Sequence, residues 1–274
     1  MKASLGAILK ITRKQQQLTQ KQLAAGICSQ SMLSAIEKDQ YTPNAQILIA
    51  LCKRLDISLE TISLSQNYAV SDHNRFNETV DRLCNQHEYQ QLNDFLQTDE
   101  VLAHIESDQQ MQAYYYYLGV STLHTSNDPA AAVAMLKLSL ASVSDTNRST
   151  LTRLGQASLA FIEAKLGHSQ AAQRLVEKAL TAMPTTKYEE NCNILFYLAA
   201  LANFELKQYQ LTARWLIKGI SFAADHNSHY MLANMYHLLA RTAEVEEKLD
   251  LKDEATQREK IFAELFHEIP YDLF

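Results

Sequence analysis

The stretch Leu18–Asn44 reads LTQKQLAAGICSQSMLSAIEKDQYTPN, and it decides the fold. It predicts two short helices joined by a tight turn and followed by a polar loop. Thr19 is a capping residue with Gln20 at the amino end of the first helix, and Ser29 serves the second in the same way. Leu23 and Ala24 are set to face inward from the first helix, and Gly26 marks the turn. Ile27, Leu33 and Ile36 supply an apolar stripe, the last two sharing one helical face. The other face carries Gln30, Ser31, Ser34 and Ala35, which are small or amide-bearing. A helix that buries one side and offers short hydrogen-bonding groups on the other suits the major groove of DNA.

The surrounding chain of 274 residues is long for one core and sufficient for two domains. Its 47% hydrophobic and 20% charged residues fit a folded, soluble sequence, and only six Gly and four Pro argue against an all-β fold. Helical periodicity is nearly continuous, so the expected class is all-α. The formal net charge of −6 is unevenly divided. Residues 1–65 hold Lys2, Lys10, Arg13, Lys14, Lys21, Lys38, Lys53 and Arg54 against Glu37, Asp39, Asp56 and Glu60. That is an excess of four positive charges, which leaves −10 for residues 66–274. A basic head on an acidic body is expected if only the amino end meets phosphate, although a small basic excess is common in any domain.

Cys28, Cys52, Cys84 and Cys192 are widely spaced with no CxxC pair, which predicts free thiols in a reducing compartment. The opening MKASLGAILKITRKQQQ has an apolar run broken by Lys10 and no small-residue cleavage site, so it does not read as a signal peptide. No stretch reaches the length of a membrane span, and a cytoplasmic protein is expected.

Around the opening stretch, a first helix is expected from about Ser4 to Gln16, burying Leu5, Ile8, Leu9 and Thr12 and showing Lys10 and Lys14. Pro43 closes the polar loop at the first turn of a further helix, whose apolar face is Ile47, Leu48, Ala50, Leu51 and Leu55. Ser58–Ile62 reads as a fifth, short helix. In order, LTQKQLA, S..LS.IE, the loop closed by Pro43 and LCKRLDIS resemble the Xre/lambda-repressor-like helix-turn-helix family. The resemblance covers nearly all of residues 1–65. It implies that Arg13 pairs with Glu37 and ties the first helix to the recognition helix; a phosphate contact by Arg13 is the competing reading. It also implies that Gln20 donates to phosphate, that Gln30, Ser31, Ser34 and Ala35 face the bases, and that the loop around Tyr41 and Thr42 touches the DNA backbone. Gln30 is best suited to base readout, because its amide bonds bidentately to adenine. Ala35 can touch only a thymine methyl, so DNA shape supplies part of the specificity. Lys10, Lys14, Lys21 and Lys38 are phosphate candidates or plain solvated charges.

Residues 66–72 are the expected linker and 73–274 a second domain for regulation and dimerisation. Helices are expected near 73–86, 88–97, 108–124, 128–142, 149–166, 168–182, 188–206, 208–225, 228–247 and 250–266. Their pairing suggests a tetratricopeptide-like α-solenoid. Ala160, Gly167, Ala172, Val176, Ala179 and Pro184 fit that repeat's small, turn, packing and terminating positions. The preceding pair is read with Gly119, Ala131, Met135 and Leu138, and the following one with Ala200, Thr212, Leu216 and Gly219. The first helix of each pair lines the inner surface of such a stack. In this register the lining includes Tyr116, Leu123, Phe161, Tyr197, Leu201 and Phe204, with Asn203, Asn234 and His237 near its edges or farther along. An apolar groove with scattered amides suits an extended peptide, whereas each of these residues taken alone is more often core.

Tyr114–Tyr117 covers every face of one turn and is not a stacking platform. Asp225-His226-Asn227-Ser228-His229 sits at a helix break without a third ligand, so no metal is expected there. The chain has no phosphate loop, HExxH, GxSxG or convincing carboxylate pair, and neither an enzyme nor a cofactor is expected.

A Xre-like head followed by about 200 residues of degenerate tetratricopeptide helices resembles the peptide-responsive regulators of Gram-positive bacteria, the Rgg/PlcR (RRNPP) family. LTQKQL, ICSQS, S.IE and the Pro43 loop carry the local match, and the body matches by architecture; Leu198 stands where a peptide-contacting asparagine is expected. The resemblance implies a homodimer on a palindromic site in double-stranded DNA, controlled by a short signalling peptide in the groove. The rival reading is a helical-repeat scaffold for a protein partner, with the head as DNA tether or dimeriser.

Overall fold

The computed structural model describes residues 5–38, 40–41, 43–57, 68–126, 128–144, 149–181, 183, 188–266 and 268–271. Among these, all regular structure is helical, in two compact units: Met1–Gln66 together with Ile217–Phe274, and Asn67–Leu216.

The head is built from α1 (Leu5–Gln15), α2 (Gln20–Ala24), α3 (Gln30–Ile36) and α4 (Ala45–Leu55). Thr19 caps α2 in a reciprocal box with Gln22, and the Ser29 hydroxyl accepts the Met32 N–H at the start of α3. Such short helices are marginal alone and are held by the core they close over: Leu9, Leu23, Leu33, Ile36, Leu48, Leu51 and Leu55 are all buried. Gly26, at φ +72°, makes the turn between α2 and α3. Pro43 is not in the first turn of α4, as expected, but just before its cap. Asn44 takes the capping position, accepting the Ile47 N–H at 2.9 Å, and leaves Pro43 buried behind it. The expected helix at Ser58–Ile62 lies outside the described residues.

The second unit holds α5 (Asn74–Asn85), α6 (Tyr89–Leu96), α7 (Asp99–Leu102), α8 (Asp108–Thr125), α9 (Pro129–Ala141), α10 (Thr150–Lys165), α11 (Ser169–Leu180), α12 (Cys192–Glu205) and the first part of α13 (Tyr209–Asp225). α8 packs on α6 and α9, and α10 on α9, α11 and α12. The single turn α7, capped by Thr98, is absent from the sequence expectation. α12 starts four residues later than expected, because residues 188–191 form a turn and its approach. Pro184 lies outside the described residues, and α11 already ends at Leu180. Three of the four tyrosines, Tyr114, Tyr116 and Tyr117, are buried, and Tyr117 accepts the Tyr68 N–H through its hydroxyl at 2.9 Å.

The register read for α9 is wrong by one residue. Ala132, Leu136 and Ser139 are buried, whereas Ala131 and Met135 are half-buried and Leu138 is 42% exposed. The segment PAAAVAMLKLSLA is apolar all round, so composition alone cannot say which face turns inward. With the register corrected, buried positions recur every 40 residues: Ala132, Ala172 and Thr212; Leu136, Val176 and Leu216; Ser139, Ala179 and Gly219. The bend between paired helices follows the same period, with Gly167, Lys207 and Glu247 all left-handed at φ +79°, +58° and +57°. Close packing explains Gly119: a Cβ there would lie 2.8 Å from Leu136 Cγ and 3.2 Å from the Leu136 backbone nitrogen.

Within the first unit, α14 (Leu232–Val245) and α15 (Leu249–Phe266) pair as a hairpin. Tyr236 stacks on Phe262 at 5.8 Å and His229 on Phe266 at 3.4 Å between ring centroids.

Candidate nucleic-acid interface and helical-repeat site

In the head, one polar chain runs from the core to the surface. Arg13 donates from Nε to Glu37 Oε1 at 2.5 Å and from Nη2 to Oε2 at 2.9 Å, and its Nη1 donates to the Leu18 carbonyl at 2.8 Å. Glu37, 4% exposed, also accepts from Gln20 Nε2 at 2.8 Å. Gln20 Oε1 in turn accepts from Gln30 Nε2 at 3.2 Å. Burial pushes the Glu37 carboxyl upward, but the hydrogen bonds from Arg13 and Gln20 outweigh it and hold the group below the usual carboxylate range. The same bond to Glu37 raises Arg13. The guanidinium read as a possible phosphate contact is thus committed internally, and Gln20 links the buried pair to the outward amide of Gln30.

The outward face of α3 is compact, because Gln30 and Ser34, like Ser31 and Ala35, are one turn apart. Gln30 and Ser31 are exposed, Ser34 and Ala35 half-buried. The Ser31 hydroxyl lies 2.9 Å from that of the cap Ser29. Tyr41 is exposed in the following loop, and Thr42 lies outside the described residues. Lys10, Lys14, Lys21, Lys38 and Lys53 are all exposed. Sequence reasoning missed Arg54, which it counted only as charge. Its Nη1 donates to the Leu23 carbonyl at 2.9 Å and to the Ala25 carbonyl, closing the end of α2 onto α4.

Among the body residues expected to meet a peptide, Tyr116, Phe161, Tyr197, Leu201, Asn203 and Asn234 are buried, and Leu123, Phe204 and His237 are half-buried. Tyr116 and Leu123 belong to or pack against the cluster around α8 and α10. The Lys165 ammonium sits 5.2 Å over the Phe161 ring, and Phe204 meets Tyr209 edge-on. Asn203 donates to its own helix at the Ala199 carbonyl at 2.7 Å. Asn234 does something different. It donates from Nδ2 to Glu268 at 2.6 Å and accepts the Tyr271 N–H at 2.9 Å. His237 Nδ1 lies 3.1 Å from Glu259. At the break Asp225–His229, His226 Nδ1 lies 2.8 Å from the Phe222 carbonyl. No group of three His, Cys, Asp or Glu able to hold a metal occurs among the described residues. Nor is any helix there long and apolar enough to cross a membrane.

These features define a class of protein: a helix-turn-helix head followed by a helical-repeat body. Residues 9–62 match the helix-turn-helix family model. No curated protein is matched by sequence. Among solved structures, the chain shares its fold with Bacillus thuringiensis PlcR in complex with the peptide PapR7 and DNA. The TM-score is 0.61 at 22% identity, over 97% of this chain and 96% of that one. The apo form of the same PlcR gives 0.57 at 19% identity, over 95% of each chain. ComR from S. thermophilus in complex with DNA and its signalling peptide ComS gives 0.50 at 16% identity, covering 97% and 95%. The fold that the sequence suggested is therefore found along nearly the whole chain.

Proposed function

We propose that this protein is a cytoplasmic, sequence-specific DNA-binding transcription regulator. It acts as a homodimer on a palindromic operator, and a short signalling peptide bound by the helical-repeat body controls it. The observation that carries the reading is the α3 face. Gln30, Ser31, Ser34 and Ala35 form a compact outward patch, and Gln30 is oriented through Gln20 by the buried Arg13–Glu37 pair. An amide held in place at the start of a groove-sized helix is prepared to bond an adenine edge. The full-length likeness to PlcR, solved with a peptide and DNA, supports joining this head to a peptide-binding body. The peptide works only through different affinities for two arrangements of that body.

Fluorescence polarisation tests the reading. Duplexes enriched from a random library are titrated with the chain at moderate salt, then with synthetic peptides encoded beside its gene. Nanomolar binding to a palindrome, shifted at least tenfold by one peptide, is the expected result. No sequence preference at moderate salt overturns the regulator. A preference that no peptide shifts removes the peptide control.

A further inference from the structure

The segment Glu268-Ile269-Pro270-Tyr271 follows α15, is not helical, and folds back onto α14. The Glu268 carboxylate sits at the amino end of α14. Oε2 accepts the Ala233 N–H at 3.3 Å and Oε1 accepts from Asn234 Nδ2 at 2.6 Å. Asn234 Oδ1 accepts the Tyr271 N–H at 2.9 Å. The residue preceding α14, Met231, is left-handed at φ +70° and supplies no side-chain cap. The open amides of this helix are thus satisfied from far along the chain.

This arrangement differs from ordinary helix packing. Asn234 is 5% exposed, and both ends of its amide are committed to one extended segment, to a carboxylate and to a main-chain N–H three residues later. A buried amide reading backbone and one side chain is how a helical surface holds an extended peptide. Ile269 is 54% exposed, while Pro270 and Tyr271 are half-buried. Burial pushes the Glu268 carboxyl up to about 7, against the pull of the bonds from Asn234 and the helix amides. Keeping it ionised in place therefore carries a desolvation cost. α15 does not depend on the segment, because its own Phe262 and Phe266 are stacked on Tyr236 and His229.

We propose that Glu268–Tyr271 is an intramolecular stand-in for a peptide ligand: it occupies a site formed by Asn234 and the amino end of α14, and a short acidic peptide binds there by displacing it. The proposal rests on the reading of the body as peptide-binding and gives that peptide a place and a chemistry: a carboxylate side chain followed three residues later by a free backbone N–H.

The test uses the full chain without DNA and a fluorescein-labelled synthetic peptide with the sequence of residues 268–274, EIPYDLF. In the double variant Glu268→Ala/Tyr271→Pro the segment loses both of its holds on Asn234. We expect this variant to bind the probe at least tenfold more tightly than the unsubstituted chain, and Asn234→Ala added to it to abolish the gain. Equal affinity of the two chains, or a gain that survives Asn234→Ala, overturns the proposal. Should circular dichroism show the double variant unfolded, Glu268→Ala alone gives the same comparison, with at least a threefold gain expected and no gain refuting. Failure here leaves DNA binding by the head untouched, and absence of an operator leaves the peptide result standing.

Discussion

Replacing Arg13 by Met removes two of the three side-chain donors to the Glu37 carboxylate and leaves only Gln20 Nε2. The Glu37 side chain is 1% exposed, so water cannot replace what is lost. Breaking one side of such a pair costs about 3–5 kcal/mol. Substituting both partners, as Arg13→Met with Glu37→Met, removes the stranded charge and leaves an unpaired Gln20 amide, a cost of about 1–3 kcal/mol, beside the Leu18 carbonyl that Arg13→Met alone also strands. The two single changes must then be strongly non-additive, with the double variant more stable than Arg13→Met alone. Hydrogen exchange at Leu33 and Glu37, whose amides bond to the Ser29 and Leu33 carbonyls, reads this locally. A loss of about 3 kcal/mol appears as roughly a 150-fold faster exchange, because 1.4 kcal/mol is tenfold. If Arg13→Met accelerates exchange less than fivefold, or the double variant is the worse of the two, the pair does not hold α3 in place.

Other parts of the chain make separate predictions. Gly119→Ala drives a methyl into Leu136 and its backbone, and should cost about 1–3 kcal/mol, read as a lower urea midpoint by Trp215 fluorescence; an unchanged midpoint refutes the close approach of α8 and α9. Gln30→Ala should weaken binding to the selected operator by about 1–3 kcal/mol while binding to random duplex stays the same; an equal loss on both means that Gln30 reads no base. His229 is pushed down to about 4 by burial, below its usual 6.5. Its contribution is complete above pH 6.5 and is lost as pH falls toward 4, on the order of 3 kcal/mol. His229→Phe should flatten this acid loss in the exchange of α14 amides, and an unaltered acid profile excludes His229 as its source.

Local rules made much of the chain legible. Thr19 with Gln22, and Ser29 before an apolar stripe, satisfy helix ends with atoms only a few residues away, so sequence suffices to place α2 and α3. What escaped was tertiary. Asn234 was recognisable as an amide on a helix, but the groups that reach it lie 34 and 37 residues farther on, and nothing local indicates them. The period of the body was obscured because its left-handed bends use Lys207 and Glu247 where Gly167 alone has the residue type that advertises such a turn. The inward face of α9 was hidden because alanine, valine, methionine and leucine together surround nearly the whole helix. Arg54 looked like one more surface charge until the carbonyls of Leu23 and Ala25 were seen to claim it.

The internal use of Arg13 and Arg54 also limits how the head responds to electrolyte. Counterions leave DNA only when a mobile cationic side chain replaces them at a phosphate, at about 0.9 ions for each contact. Among the described residues, that role falls to the exposed Lys10, Lys14, Lys21, Lys38 and Lys53. With all five on phosphate, these residues contribute about −4.5 per head to the slope of the logarithm of the binding constant against the logarithm of salt concentration. With so few charges available, a single head is a weak holder of DNA in cellular salt, which is what the homodimer proposed above would make up for on an operator.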